Sequence, residues 1–192
     1  SNVGVGGILV GFENNITISA NNVSGMSQTS SPDVVGISAG FAASGFSTTT
    51  TGPNEVTNAT ITKNIIGSVI NSGTFSAAGL GLAAATSGTS TIANNMIYGV
   101  SANGTSGDFS AGIVLGGGTG STTNVYYNTV SMQGTISGAT AASQTAACLA
   151  VTTSSAPTLS IKNNIFTNTQ LGNTSATVKL ACVALGYSST LG

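Results

Sequence analysis

Charge is the scarcest property of this sequence. Only 4% of its 192 residues are Asp, Glu, Lys or Arg, and the formal net charge is -1. Lys63, Lys162 and Lys179 are the only cations, too few to neutralise a phosphate backbone. That argues against nucleic acid as a partner and against a basic membrane-surface patch. Histidine, arginine and tryptophan are absent. Without His there is no Ser-His or Cys-His nucleophile, and a zinc site lacks credible ligands, so neither a metal nor another cofactor is expected. No run approaches the roughly 18 apolar residues that would span a bilayer, so membrane insertion is not expected either. Disorder fails on the opposite count, since 40% of the residues are apolar. These absences leave a soluble chain read as a single domain over 1–192.

What is present is repetition, which decides the fold in a chain of this kind. One series is a short Gly/Ala and aliphatic segment: GGILVG at Gly6, VGISAG at Val35, AGLGLA at Ala78, AGIVLG at Ala111, ACLAVT at Ala147 and ACVALG at Ala181. A second, [IV]-x-x-N-x-[VIF], recurs as Ile18-Asn21-Val23, Ile61-Asn64-Ile66, Ile92-Asn95-Ile97, Val125-Asn128-Val130 and Ile161-Asn164-Phe166. The two alternate along the chain. With a polar spacer they make a unit of about 30 to 43 residues, the range of solenoid repeats.

Aligning the first series puts Ile8, Ile37, Leu80, Ile113, Leu149 and Val183 in one column. Val10, Ala39, Leu82, Leu115, Val151 and Leu185 fall two places along. A period of two means strand, and the spacers lack the stripe a crossover helix needs. The strands must therefore stack on their counterparts in the next unit. The expectation is an all-β parallel β-helix (β-solenoid) of about five to six coils, with a departure from the repeat at about 42–57. In that arrangement Asn21, Asn64, Asn95, Asn128 and Asn164 lie over one another after the second strand, where their amides form a structural ladder.

At this point the sequence resembles the right-handed parallel β-helix superfamily that includes pectate lyases. The stretches "NVYYNTVSMQGT" at Asn124 and "TTSSAPTLSIKNNIFTNT" at Thr152, with the aliphatic strand between them, are similar to repeats of very large secreted surface proteins of Bacteroidota-type bacteria. The resemblance implies a right hand, an inward asparagine ladder, export to the cell surface or matrix and, usually, no assigned chemistry. It does not supply a catalytic site. The acidic residues are Glu13, Asp33, Glu55 and Asp108, and their placement fits neither a calcium cluster nor a carboxylate pair across a scissile bond. The chain is read as not an enzyme.

Strict alternation sends Gly7, Gly36, Gly79, Gly112, Cys148 and Cys182 outward, followed by Leu9, Ser38, Gly81, Val114, Ala150 and Ala184. Such a flat, small-residue face suits self-association, with Gly7, Gly36, Gly79, Gly81, Gly112, Ala150 and Ala184 as its candidates, unless the chain's own insertion covers it. Cys148 and Cys182 are expected in contact on consecutive coils, with a disulfide or free thiols both left open. No capping element and no signal peptide is evident, so the chain reads as a mature piece, an excerpt, or a subunit that stacks end to end. Three functions are carried forward: an extracellular structural or adhesive module that self-associates; a polysaccharide-binding module using Tyr98, Tyr126, Tyr127 or Tyr187; and ice binding through Thr17, Thr60 and Thr91, an array that fails at Asn124 and Ser160.

Overall fold

A computed structural model describes residues 6–29, 32–41, 55–103, 108–136, 145–152, 155–172 and 178–187. Every regular element in it is a β-strand. The first rung comprises β1 (Gly6–Val10), β2 (Thr17–Ser19) and β3 (Asn22–Gln28). Above it lie β4 (Val34–Ala39), β5 (Thr60–Thr62) and β6 (Ile65–Asn71), then β7 (Ala77–Ala84), β8 (Thr89–Ala93) and β9 (Met96–Ala102). The chain continues through β10 (Phe109–Gly117), β11 (Thr122–Tyr126), β12 (Thr129–Met132) and the short β13 (Thr135–Ile136). The next rung is β14 (Thr145–Thr152), β15 (Thr158–Lys162), β16 (Ile165–Asn168) and the short β17 (Leu171–Gly172), followed by β18 (Lys179–Tyr187).

These strands form a parallel β-solenoid. The first sheet runs β1-β4-β7-β10-β14-β18, the second β15-β11-β8-β5-β2 and the third β16-β12-β9-β6-β3. A two-stranded sheet pairs β13 with β17. What the sequence counts as one coil is thus one strand in each of three sheets. The first-sheet register follows the aliphatic columns: Ile8 pairs with Ile37, Ile37 with Leu80, Leu80 with Ile113, Ile113 with Leu149 and Leu149 with Val183. The expected insertion at 42–57 lies outside the described residues up to 54. Its last residues join the solenoid, with Val56 bridged to Ala84 and Thr57 to Asn14.

The core is one column of side chains enclosed by three sheets. Ile37, Leu80, Ile113 and Leu149 of the first sheet meet Ile61, Ile92 and Val125 of the second and Ile66, Ile97 and Val130 of the third. Burying each such side chain contributes about 1.5–3 kcal/mol, and the contribution repeats at every rung. β-branched residues dominate the second and third sheets because their stiff side chains suit a pleated surface.

One feature of the first sheet departs from the sequence reading. Register pairs skip Gly36, Gly79 and Gly112 in every strand pair, so the strands kink there. A two-residue alternation is broken by the kink. The glycine column and the aliphatic column beside it therefore both face the interior.

Candidate functional site

The second and third sheets are joined by a two-residue bend, and the ladder sits in it. Its first residue is left-handed in every rung: Ala20, Lys63, Asn94, Tyr127 and Asn163 have φ of 58, 59, 56, 56 and 55°. A left-handed residue reverses the chain sharply but leaves backbone groups without partners at the corner. The following asparagine supplies them. Asn64, Asn95 and Asn128 are almost wholly buried, so their amides must be satisfied inside the protein.

They are satisfied completely. The Asn95 Oδ1 accepts from the backbone N and the Nδ2 of Asn64, both at 3.0 Å. Its Nδ2 donates to Asn128 Oδ1 and to the Ile61 carbonyl, both at 2.9 Å. Asn64 and Asn128 repeat this pattern, accepting from Asn21 and Asn95 and donating to the Ile18 and Ile92 carbonyls. Asn164 ends the described series by accepting from Asn128 and donating to the Val125 carbonyl. Two donor hydrogens and two acceptor lone pairs are thus used at each buried position, as the repeated asparagine predicts.

The small-residue column is where the geometry corrects the sequence. Gly36, Gly79 and Gly112 do not face outward, because the kinked strand turns them toward the third sheet. A methyl group built on Gly79 would lie 2.5 Å from Ile97 Cγ2 and 2.7 Å from the Gly112 carbonyl oxygen. On Gly36 it would lie 2.5 Å from Ile66 Cγ2. Gly7 and Gly112 are crowded in the same way by Val23 and Val130. Glycine is used here so that two sheets can approach closely, not to make a flat exterior.

Gly81, Ala150 and Ala184 do lie outward, beside Val35, Ala78, Ala111, Ala147 and Val114. That face is nevertheless covered within the chain: Ala111 and Val114 are wholly buried, and Phe41 and Phe109 pack in the same cluster. The expected association face is therefore not a free surface across these rungs. Its small residues are explained by internal packing.

Cys148 and Cys182 occupy the glycine column and so point inward as well. Cys148 Sγ approaches the Val130 carbonyl at 3.9 Å and Cys182 Sγ the Phe166 carbonyl at 3.5 Å. Val130 and Phe166 are themselves register partners, so the thiols hold equivalent places one rung apart. Both are free thiols in this structure, Cys148 buried and Cys182 exposed. Burial first, and the neighbouring Cys182 next, push the Cys148 thiol up to about 12.

The tyrosines do not form one array. Tyr98 lies on the outer face of β9 with its ring over Gly67. Tyr126 and Tyr127 meet edge to face, 6.4 Å between ring centres, with Lys162 Nζ 5.8 Å from the Tyr126 ring centre. The Tyr126 hydroxyl lies 3.0 Å from Asn124 Oδ1 and 2.9 Å from Ser160 Oγ. Tyr187 ends β18 opposite Thr152. Thr17, Thr60 and Thr91 are in register on the second sheet, and Asn124 and Ser160 continue the column.

Among the acids, Asp33 and Asp108 are linked through Ser76, whose backbone N donates to Asp33 Oδ1 at 2.8 Å and whose Oγ donates to Asp108 Oδ1 at 3.2 Å. No group of three or more His, Cys, Asp or Glu gathers among the described residues. Three polar side chains escaped the sequence reading. Asn71 Nδ2 donates to the Pro32 and Ser76 carbonyls, and Asn168 Nδ2 donates to those of Ala146 and Ala181, so each ties consecutive first-sheet rungs together. Gln170 Nε2 reaches the Val100 carbonyl at 2.8 Å. Asn71 and Asn168 occur without a repeated motif around them, and Gln170 bonds a residue far away in sequence, so no local pattern marks them.

A scan against family models and searches of curated proteins and solved structures return no match to this chain. No helix among the described residues is long and apolar enough to cross a membrane.

Proposed function

We propose that this chain is a non-catalytic structural or adhesive module of an extracellular assembly, one that self-associates by adding rung to rung. The observation that carries the reading is the way each described rung binds the next, through parallel strand pairing, aliphatic columns and ladder amides. Gly7, Ile8, Asn21, Val23 and Met26 line a cavity of ≈ 380 Å³ beside β1 and β3. Rungs of separate copies that pair head to tail through the same groups give a linear filament wherever the rotation between copies does not close. The small-residue face is covered within the chain, so the association proposed is rung on rung and not through that side. The extracellular setting rests on the resemblance to secreted repeats. A right hand rests on it too, and on the strong preference of parallel β crossovers for that hand.

The test is light scattering on a sizing column from dilute to concentrated protein, with electron microscopy of early-eluting material. Linear assemblies that grow with concentration are expected. A monomer at every concentration overturns the reading.

Tyr127 favours a second reading, polysaccharide binding. It is 58% exposed beside Tyr126 and Lys162, which gives an aromatic surface next to hydrogen-bonding groups. Retention on a polysaccharide panel that is lost in Tyr127→Ala would support it, and retention unchanged by that substitution would exclude this surface.

A further inference from the structure

We infer that Cys148 and Cys182 form an oxidisable staple that fastens β18 to the rest of the solenoid. β18 pairs with β14 at one end of the described first sheet. Val183 and Leu185 are 40% and 58% exposed, whereas their counterparts Leu149 and Val151 in β14 are 0% and 4% exposed. Its pairing with β14 runs in register from Thr145–Lys179 to Ala150–Ala184 and then slips, leaving Thr152 opposite Tyr187. Asn168 holds its near half through the Ala181 carbonyl at 3.0 Å. The cysteines fall one residue beyond that bond.

Their placement meets the requirements of a disulfide between neighbouring strands. Ala147 pairs with Ala181 and Leu149 with Val183, so the two Cys Cα atoms sit directly across one strand spacing, ~4.8 Å. That is within the Cα separation a disulfide spans. Both side chains project to the same side, toward consecutive carbonyls of the third sheet. The four glycines that precede them in the column have no room for a side chain, so this is the first place along the solenoid where the column can carry a reactive group.

Exposure orders the chemistry. Cys182 is reachable from solvent and Cys148 is not. The Cys182 thiolate attacks one sulfur of a small-molecule disulfide such as oxidised glutathione, forming a mixed disulfide and releasing one glutathione thiolate. Cys148 then attacks the Cys182 sulfur while its proton passes to the departing glutathione sulfur, forming the Cys148–Cys182 bond and releasing the second glutathione as its thiol. Two electrons pass from the cysteine pair to the external disulfide. Burial of Cys148 keeps its thiol protonated, so the pair waits for an oxidant to arrive at Cys182.

The experiment incubates the native protein with oxidised glutathione, quenches by alkylation and reads the intact mass. Trypsin cleavage after Lys179 and amide exchange in β18 are then followed in the oxidised and reduced forms. The expected product has lost two hydrogens, takes up no alkylating agent, and opens at β18 at least about tenfold more slowly. Cys148→Ser is expected to stop at the Cys182 mixed disulfide. A wild-type protein that stays reduced or keeps its glutathione overturns the inference. So does a closed disulfide that leaves β18 exchange and Lys179 cleavage unchanged.

Discussion

Removing one internal ladder amide is expected to cost far more than removing the one at the edge. In Asn95→Ala the backbone N and Nδ2 of Asn64 lose their acceptor and the Ile61 carbonyl loses its side-chain donor. Asn128 Oδ1 keeps only the bond from the Asn95 backbone. Each buried polar group left without a partner costs about 1–3 kcal/mol. A water entering the vacated space would relieve part of this, with up to ~2 kcal/mol charged for holding it there. The net expectation is about 2–4 kcal/mol for Asn95→Ala. Asn21→Ala removes donors to Asn64 Oδ1 and the Ser19 carbonyl at a partly open edge, while the Asn21 backbone N still bonds Asn64. That change is expected to cost about 1 kcal/mol or less. Urea unfolding followed by far-UV circular dichroism measures both, and amide exchange at Asn64 reports the lost acceptor directly. Equal costs for the two variants, or unchanged protection at Asn64 in Asn95→Ala, would refute the ladder argument.

Asn95→Asp keeps the shape but cannot donate to Asn128 Oδ1 or the Ile61 carbonyl when ionised, so it should destabilise at least as much as alanine at neutral pH and recover partly in acid. Gly79→Ala places a methyl against Ile97 and the Gly112 carbonyl, and a loss of about 2 kcal/mol or more in the same urea assay is expected. Gly25→Ala meets no neighbour within 4 Å and should lose only the about 1 kcal/mol of its left-handed φ of 75°. Tyr127→Asn puts at this left-handed corner the residue found at Asn94 and Asn163, and a small rise in melting temperature is expected. Cys148 has its thiol raised from 9.0 to about 12 in the fold. Above pH 9 the unfolded chain releases that proton while the folded chain keeps it, so this contribution is full below pH 9 and fades as pH rises toward 12. Reduced Cys148→Ala protein should show a shallower alkaline decline than reduced wild type.

The ladder and the strand registers could be read from the sequence because each rests on a residue type repeated at equivalent places. Asn21 to Asn164 and Ile8 to Val183 are columns before they are structure. The facing of Gly36, Gly79, Gly112 and Cys148 could not be read that way. Strict alternation assumes a straight strand, and only the close approach of Ile66, Ile97 and Val130 shows that the strand bends there. Cover of Val114 and Ala150 depends on packing between parts of the chain distant in sequence, which composition does not encode. Asn168 and Gln170 bind carbonyls one or more rungs away, a relation set by the pitch and invisible in a local motif.

The ladder also separates two lengths that are linked in most folds. Consecutive ladder asparagines are 43, 31, 33 and 36 residues apart, yet their side-chain bonds are all 2.9–3.0 Å. Rung spacing follows the strand pairing and the amides stacked with it, and not how much chain lies between amides. Residues can therefore be gained or lost in the connecting segments without changing the height at which the next rung lands. A solenoid of this kind can diversify its surface at fixed vertical positions, and foreign peptides grafted between rungs would inherit a known spacing along the axis.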